Sequence, residues 1–385
     1  MIRYCEEKKL FQLDTINTTY VIGLTQEGYV GHVYYGDRLF GEAVSTLLRT
    51  EEPPFTPSKN LREKSAFLDF FPMEYPTGGI GDYRESCLDV RNEAGSKAAE
   101  ILYFSHVITN GKPRLEGLPA SFGNDDEVQT LVITCKDLVL GLSVDLMYSV
   151  FEKEDVIVRS THVTNEGSQT LRLEKVYSAC LDMDNENFEL LNLHGSWARE
   201  RHIQRRELAY GKQLMSSLKG ESSHQEHPFV ALVTPGTTQQ QGKVYGMHFV
   251  YSGNFIGQAE LNQFDSVRTV MDINKEEFGW VLKAGEEGAD FIKIMTTGIM
   301  DFNAHGAVTG TPLDAAEVKE MVHIAHEESM AVMSHTNGDY GVQAAVELAE
   351  KLDPEKIHGR VIIVKTVCRK EFEERSGSIC PEDKK

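Results

Sequence analysis

Along the first 283 residues apolar and polar positions alternate in short runs rich in β-branched and aromatic side chains, the signature of half-buried strands. Residues 18–24 and 30–36 are two such runs, and Gln26-Glu27-Gly28 between them is a turn signal, so a hairpin is expected. Residues 130–135, 140–146, 156–163 and 171–177 repeat the pattern, with Asn165-Glu166-Gly167-Ser168 as the turn before the last; residues 228–233 and 244–253 extend it. Strands at this spacing predict an antiparallel sandwich. The Pro-rich stretch 51–57 reads as an ordinary loop.

The period changes after Lys283-Ala284-Gly285-Glu286. Residues 288–298 read as a short buried strand running into a Gly turn. Asp314-Ala315-Ala316-Glu317 is a capping box opening a helix with Val318, Met321, Val322 and Ala325 on one face, and residues 331–335 form a strand ending in His335. That order predicts a βαβ unit. A helix over 341–349, ended by Asp353-Pro354, and a strand over 360–367 follow. The expected fold class is therefore mainly β: a large antiparallel β-sandwich (a supersandwich) followed by a short, incomplete α/β segment.

Composition narrows the partners. With 59 acidic against 39 basic residues and a formal charge of −20 over 385 residues, the chain is unsuited to a phosphate backbone or an anionic membrane surface. Neutral ligands such as sugars remain open. Six scattered cysteines without CxxC spacing read as reduced thiols, no run of 18 apolar residues occurs, and the first residues lack an apolar signal region. A cytoplasmic protein with no membrane or nucleic-acid partner and no cofactor is expected.

The candidate chemistry lies in Gly78-Gly79-Ile80-Gly81-Asp82-Tyr83-Arg84. Asp82 could accept from sugar hydroxyls, Arg84 donate to them, and Tyr83 stack on a pyranose face; equally, Asp82 and Arg84 could pair to fix a Gly-rich bend. Trp197 with Arg199, Arg201 and His202 poses the same choice between sugar contact and a buried tryptophan bridging two sheets. His224 and His227, three apart, offer too few neighbours for a metal.

Several segments resemble the N-terminal domain of glycoside hydrolase family 36, the microbial α-galactosidases: residues 71–85 (Phe71-Pro72-Met73-Glu74-Tyr75 onward), Leu181-Asp182-Met183-Asp184, His194-Gly195-Ser196-Trp197 through His202, Ser222-Ser223-His224-Gln225 and Tyr251-Ser252-Gly253-Asn254. The resemblance covers residues 10–286. It implies a β-sandwich preceding a (β/α)8 barrel in enzymes that cleave terminal α-galactose from melibiose and raffinose-type oligosaccharides, the larger members being tetramers whose sandwich loops reach a neighbour's active site. It also implies two barrel aspartates, the nucleophile in a Lys-Trp-Asp context. Neither aspartate has a counterpart here: the tryptophans are Trp197 and Trp280, neither followed by Asp. No catalytic residue is therefore assigned, and the chain alone is expected to be inactive.

Residues 288–346 resemble the amidohydrolase superfamily, which implies metal-ligand roles for Lys293 and His335, two of a set of five or six. Residues 341–385 resemble the succinylglutamate desuccinylase and aspartoacylase group of zinc hydrolases, but three positions after His335 stands Gly338 where that group has Glu. The expected domains are thus 1–286, 287–346 and 347–385, as in a fused reading frame. Three readings remain: a truncated α-galactosidase relative, a non-catalytic carbohydrate-binding or oligomerisation module acting through Asp82, Tyr83, Arg84, Trp197 and Arg199, and a remnant amidohydrolase. Small carbohydrates such as α-galactosides and a homo-oligomer are the partners these allow.

Overall fold

The computed structural model describes residues 1–41, 45–50, 67–115, 120–276 and 278–285, and the strand backbones 291–295, 300–301, 307–308, 331–336 and 363–365. The loop expected at 51–57, the helices expected from Asp314 and at 341–349, and residues 378–383 lie outside the described residues. Two compact units divide the chain, one of Met1–Arg114 with Pro119–Gly288 and one of Leu115–Leu118 with Ala289–Lys385.

The first unit is antiparallel sheet. Strands β1 (Ile2–Cys5), β2 (Leu10–Asp14), β3 (Thr18–Leu24) and β4 (Val30–Asp37) form a meander. The β3–β4 hairpin closes where the pattern places it, and Gly28 there takes a φ of 95°, a left-handed backbone that a side chain would strain. Strand β5 (Leu88–Arg91) pairs with β10 (Leu171–Val176), which pairs with β19 (Trp280–Leu282). A second meander joins β6 (Leu102–Asn110), β7 (Val128–Asp137), β8 (Leu142–Phe151) and β9 (Val156–Asn165). The remaining two sheets run β11-β18-β17-β14, from β11 (Ala179–Asp184), β14 (Gly211–Ser217), β17 (Phe255–Leu261) and β18 (Ser266–Ile273), and β13-β12-β15-β16, from β12 (Glu189–Ser196), β13 (Arg199–Glu207), β15 (Glu226–Val233) and β16 (Val244–His248). A single 3-10 turn at Ser45–Leu47 is the one helical element among the described residues, so no described helix could cross a membrane.

Period-2 alternation sends one face of these strands inward. Phe11, Tyr20 and Ile22 of the first meander join Leu131, Ile133, Val144 and Tyr148 of the second in the larger core. Between the last two sheets Phe188, Leu190, Val230 and Leu232 meet Met215, Phe255, Val267 and Met271 in a second one. Each such side chain contributes about 1.5–3 kcal/mol on burial. A carboxylate sits in the larger core: Glu74 accepts from the Tyr20 and Tyr148 hydroxyls, each at 2.7 Å, and contacts His32 Nδ1 at 2.9 Å and Arg159 at 3.4 Å. Burial alone would push this carboxyl up, but Arg159, His32 and Tyr148 outweigh it and hold Glu74 below the ordinary carboxylate value. Cys5, Cys87, Cys135 and Cys180 are unpaired thiols, and burial pushes Cys135 up to about 12.

In the second unit β20 (Phe291–Met295), β23 (Ala331–Thr336) and β24 (Ile363–Lys365) pair in parallel, and β21 (Met300–Asp301) pairs with β22 (Ala307–Val308) antiparallel. Strands β20, β23 and β24 fall on the runs that the sequence pattern marks as strands, whereas β21 and β22 have no counterpart in that pattern.

Candidate functional site

The Gly-rich segment forms a loop tied at its base by Gly78 N–H to Leu88 O (3.2 Å) and Cys87 N–H to Pro76 O (2.7 Å). Gly79 has a φ of 82°, and a Cβ there would lie 2.7 Å from Ala98 Cα, so only glycine fits. Past this bend the side chains alternate. Asp82 and Arg84 turn inward, and Tyr83 between them turns out, 79% exposed.

Inside, Asp82 and Arg84 meet Asp182 of β11 and Arg268 of β18, cross-strand partners in register, to make a buried tetrad. Arg84 donates from Nε to Asp82 Oδ1 (2.9 Å), from Nη1 to Asp182 Oδ2 (3.2 Å), and from Nη2 to the carbonyls of Leu68 (2.9 Å) and Phe71 (2.7 Å). Arg268 grips Asp182 through two bonds of 2.7 and 2.6 Å and reaches Asp82 Oδ2 at 2.8 Å. Burial would raise the Asp182 carboxyl, but Arg268 and Arg84 hold it below its ordinary value. Next in the chain, Glu85 collects three ammonium groups: Lys175 (2.9 Å), Lys212 (2.6 Å) and Lys275 (2.9 Å). They more than reverse the effect of burial and keep Glu85 far below the usual range. Arg84 and Asp82 thus fix the bend from within.

What this anchoring presents outward is an open groove of about 610 Å³ between the loop and the β14–β17 edge. Tyr83, Tyr210, Asp69, Glu260, Asn262 and Gln263 line it, over an Arg84 floor. Asp69 braces the rim, accepting Tyr83 N–H on Oδ1 (3.2 Å) and Gln263 Nε2 on Oδ2 (3.0 Å). Asn262 Oδ1 takes the N–H groups of Phe264 (3.0 Å) and Ser266 (3.1 Å) and the Ser266 hydroxyl (3.0 Å), and its buried Nδ2 meets no acceptor among the described residues. Sequence reading picks out Tyr83 alone among the outward residues. Tyr210 and the 260–263 turn carry no motif, and the one sequence signal near them is the Asn262-Gln263-Phe264-Asp265 turn chemistry between β17 and β18.

Trp197 is elsewhere. It sits at the tip of the β12–β13 hairpin, where Ser196 pairs with Arg199, and is 84% exposed. The alternative of a buried tryptophan bridging two sheets is therefore corrected: a hairpin tip projects its side chains away from both sheets. Arg199 is exposed beside it, Arg201 donates to His224 Nε2 (3.0 Å), and His227 packs on His248 with ring centroids 5.4 Å apart. Among the described residues no group of three His, Cys, Asp or Glu is placed to hold a metal. In the second unit Lys293 is in register with Met333 and His335 with Met295, two positions apart on neighbouring strands.

The two cores and the buried tetrad define a large antiparallel β-sandwich module, and the comparisons give its family. Residues 28–283 match the glycosyl hydrolase family 36 N-terminal domain, and the chain belongs to that family. It is 40% identical over 287 residues to the bifunctional alpha-galactosidase/sucrose kinase AgaSK of Mediterraneibacter gnavus, covering 74% of this chain and 31% of that protein. It is 38% identical over 286 residues to alpha-galactosidase AgaA of Geobacillus stearothermophilus, covering 74% and 39%. The solved family 36 alpha-galactosidase AgaB from Geobacillus stearothermophilus superposes with a TM-score of 0.71 at 38% identity over 75% of this chain and 39% of that one. The chain thus spans about a third to two fifths of the length of the relatives it matches.

Proposed function

We propose that this chain is the non-catalytic sandwich part of an α-galactosidase-type protein and that it does not itself cleave galactosides. The observation that carries this is where the match stops, at residue 283, with no Lys-Trp-Asp context anywhere in the 385 residues. A retaining glycosidase needs two accessible carboxyl groups about 5–5.5 Å apart, one as nucleophile and one as acid/base. Asp82 and Asp182, bridged by Arg268, are buried and clamped on arginines, so neither can attack a sugar or donate to a leaving group. Purified chain incubated with melibiose is expected to release no galactose above a buffer blank. Robust release, with contaminating enzyme excluded, overturns the reading.

For the residues beyond 286 we infer an amidohydrolase-like segment, 287–346, and a zinc-hydrolase-like segment, 347–385. The parallel pairing of β20 with β23 supports an α/β reading of that unit. Lys293 and His335 are a remnant of a metal set in this reading, and two ligands hold zinc weakly because a stable site takes three or four. Dialysis against zinc is expected to leave substoichiometric metal on the chain; one tightly held zinc per chain would instead favour a working amidohydrolase centre.

A further inference from the structure

We propose that the neck of the β12–β13 hairpin is a binding site for a divalent late transition metal, copper(II) foremost, with His194 and His202 as its two protein ligands and Glu226 holding His194 in the ligating tautomer. The inference stands apart from the galactosidase reading and from the Lys293 and His335 remnant, because it rests on other residues of the first unit.

The register sets three residues abreast. His194 of β12 stands opposite His202 of β13 and, on its other side, opposite Glu226 of β15. Directly opposed residues of an antiparallel pair share a face, with Cβ atoms about 4.5–5.5 Å apart, so two imidazoles placed this way can meet at one ion. Irregular pairing makes the row. The β12–β13 register shifts just past His194, where Arg201 takes a φ of 54°, and the β12–β15 register shifts just before it. Irregularities of this kind re-aim side chains, and a left-handed backbone at a residue with a side chain is a cost that a plain hairpin avoids.

The chemistry of the row is that of a ligand with its support. Glu226 Oε2 lies 2.7 Å from His194 Nδ1, and Asn192 Nδ2 donates to the other carboxylate oxygen at 3.5 Å. A carboxylate on Nδ1 keeps the proton there and leaves the Nε2 lone pair for a metal, as in most metal-ligating histidines. Glu226 thereby acts through the imidazole and not on the ion. The His194 side chain is 50% exposed and every residue of β13 is exposed, so an ion enters from solvent. The other histidines at this end of the sheet make a poorer site, because Arg201 donates to His224 Nε2 (3.0 Å) and sets a positive charge beside His227 and His248. Two imidazoles with waters completing the sphere form a tetragonal nitrogen and oxygen set, which suits copper(II) or nickel(II). Zinc takes three or four protein ligands, and magnesium and calcium take oxygen. The net charge of −20 draws cations toward the chain.

The test titrates copper(II) chloride into the full 385-residue chain, followed by calorimetry, electron paramagnetic resonance and tryptophan emission. Saturable binding is expected, with splitting from two imidazole nitrogens and with quenching of Trp197, which lies between the two ligands at the hairpin tip. Magnesium chloride should give neither heat nor quenching. His194→Ala and His202→Ala, both at exposed positions, should each weaken copper binding by about tenfold or more, and Glu226→Gln by about ten- to a hundredfold. His248→Ala should leave it unchanged. Should His194→Ala disturb the fold by circular dichroism, His202→Ala on the edge strand decides alone. A flat copper titration overturns the proposal. So does binding that survives the His194→Ala/His202→Ala double substitution, or binding that His335→Ala abolishes, which would give the copper to the second unit.

Discussion

Arg268→Ala is expected to lower the unfolding free energy by about 3–5 kcal/mol, the scale for removing one partner of a buried ion pair. Arg268 is among the largest fully buried side chains of the molecule, and it holds Asp182 by two short bonds and Asp82 by a third contact. Its loss leaves two buried carboxylates facing the single guanidinium of Arg84, one negative charge with no counterion. The Met73 N–H bond to Asp182 (3.0 Å) cannot replace it, since an amide carries no net charge. The same change at an exposed pair, Lys243→Ala opposite Glu186, should cost under about 1 kcal/mol. Urea unfolding of both variants checks the contrast. A midpoint for Arg268→Ala close to that of Lys243→Ala would mean that the tetrad is solvated and does not anchor the loop. Because Arg84 holds both Leu68 and Phe71 carbonyls from inside the tetrad, loss of the anchor should also disturb Tyr83 and the groove it lines.

The tetrad also marks how far the sequence could be read. Strands β3, β4, β7, β8, β9 and β10 were legible because alternating β-branched runs and Gly or Asn turns are local signals, and those strands bury one face. Strand β13, Arg199–Glu207, was not. Every residue on it is exposed, it lies at a sheet edge, and its charges carry no apolar alternation, so only its hydrogen bonds to β12 make it a strand. Asp82 and Arg84 announced themselves as a pair two residues apart, but nothing local says that Asp182 and Arg268 join them, because those partners are brought in by the β11–β18 register. The groove was hidden for the same reason: Asp69, Tyr83, Tyr210 and the 260–263 turn come from four separate parts of the chain. Trp197 shows the converse error. A tryptophan among charges suggests burial with satisfied neighbours, and a two-residue hairpin turn exposes it instead.

The second large effect concerns pH and runs against the usual direction for a carboxylate. Asp272 of β18 is buried, and desolvation pushes its carboxyl up from 3.8 to about 6 despite bonds from Ser178 and from Ile273 N–H (2.7 Å). In the folded chain it therefore keeps its proton where the unfolded chain has lost it. The folded state binds the extra proton between those two values, so stability attributable to Asp272 is complete below about 3.8 and is lost as pH rises through about 6. Glu74, Asp182 and Glu85, held low by their cations, act oppositely: their contribution is present above the ordinary carboxylate range and disappears as pH falls through their lowered values. A bare stability profile mixes the two signs, and a comparison with Asp272→Asn separates them, since the amide never ionises and the other carboxylates are common to both proteins. The difference in unfolding free energy should move in the variant's favour by about 2–3 kcal/mol between about pH 4 and about pH 7, at about 1.4 kcal/mol per unit of pKa shift. Whatever fixed cost the amide incurs beside two N–H donors offsets the curve without changing its slope. A difference that stays level across that window would show Asp272 ionising as an ordinary aspartate, its charge matched by the Ser178 and Ile273 donors; a drift toward the wild type would show it held below its free value, as its three buried counterparts are.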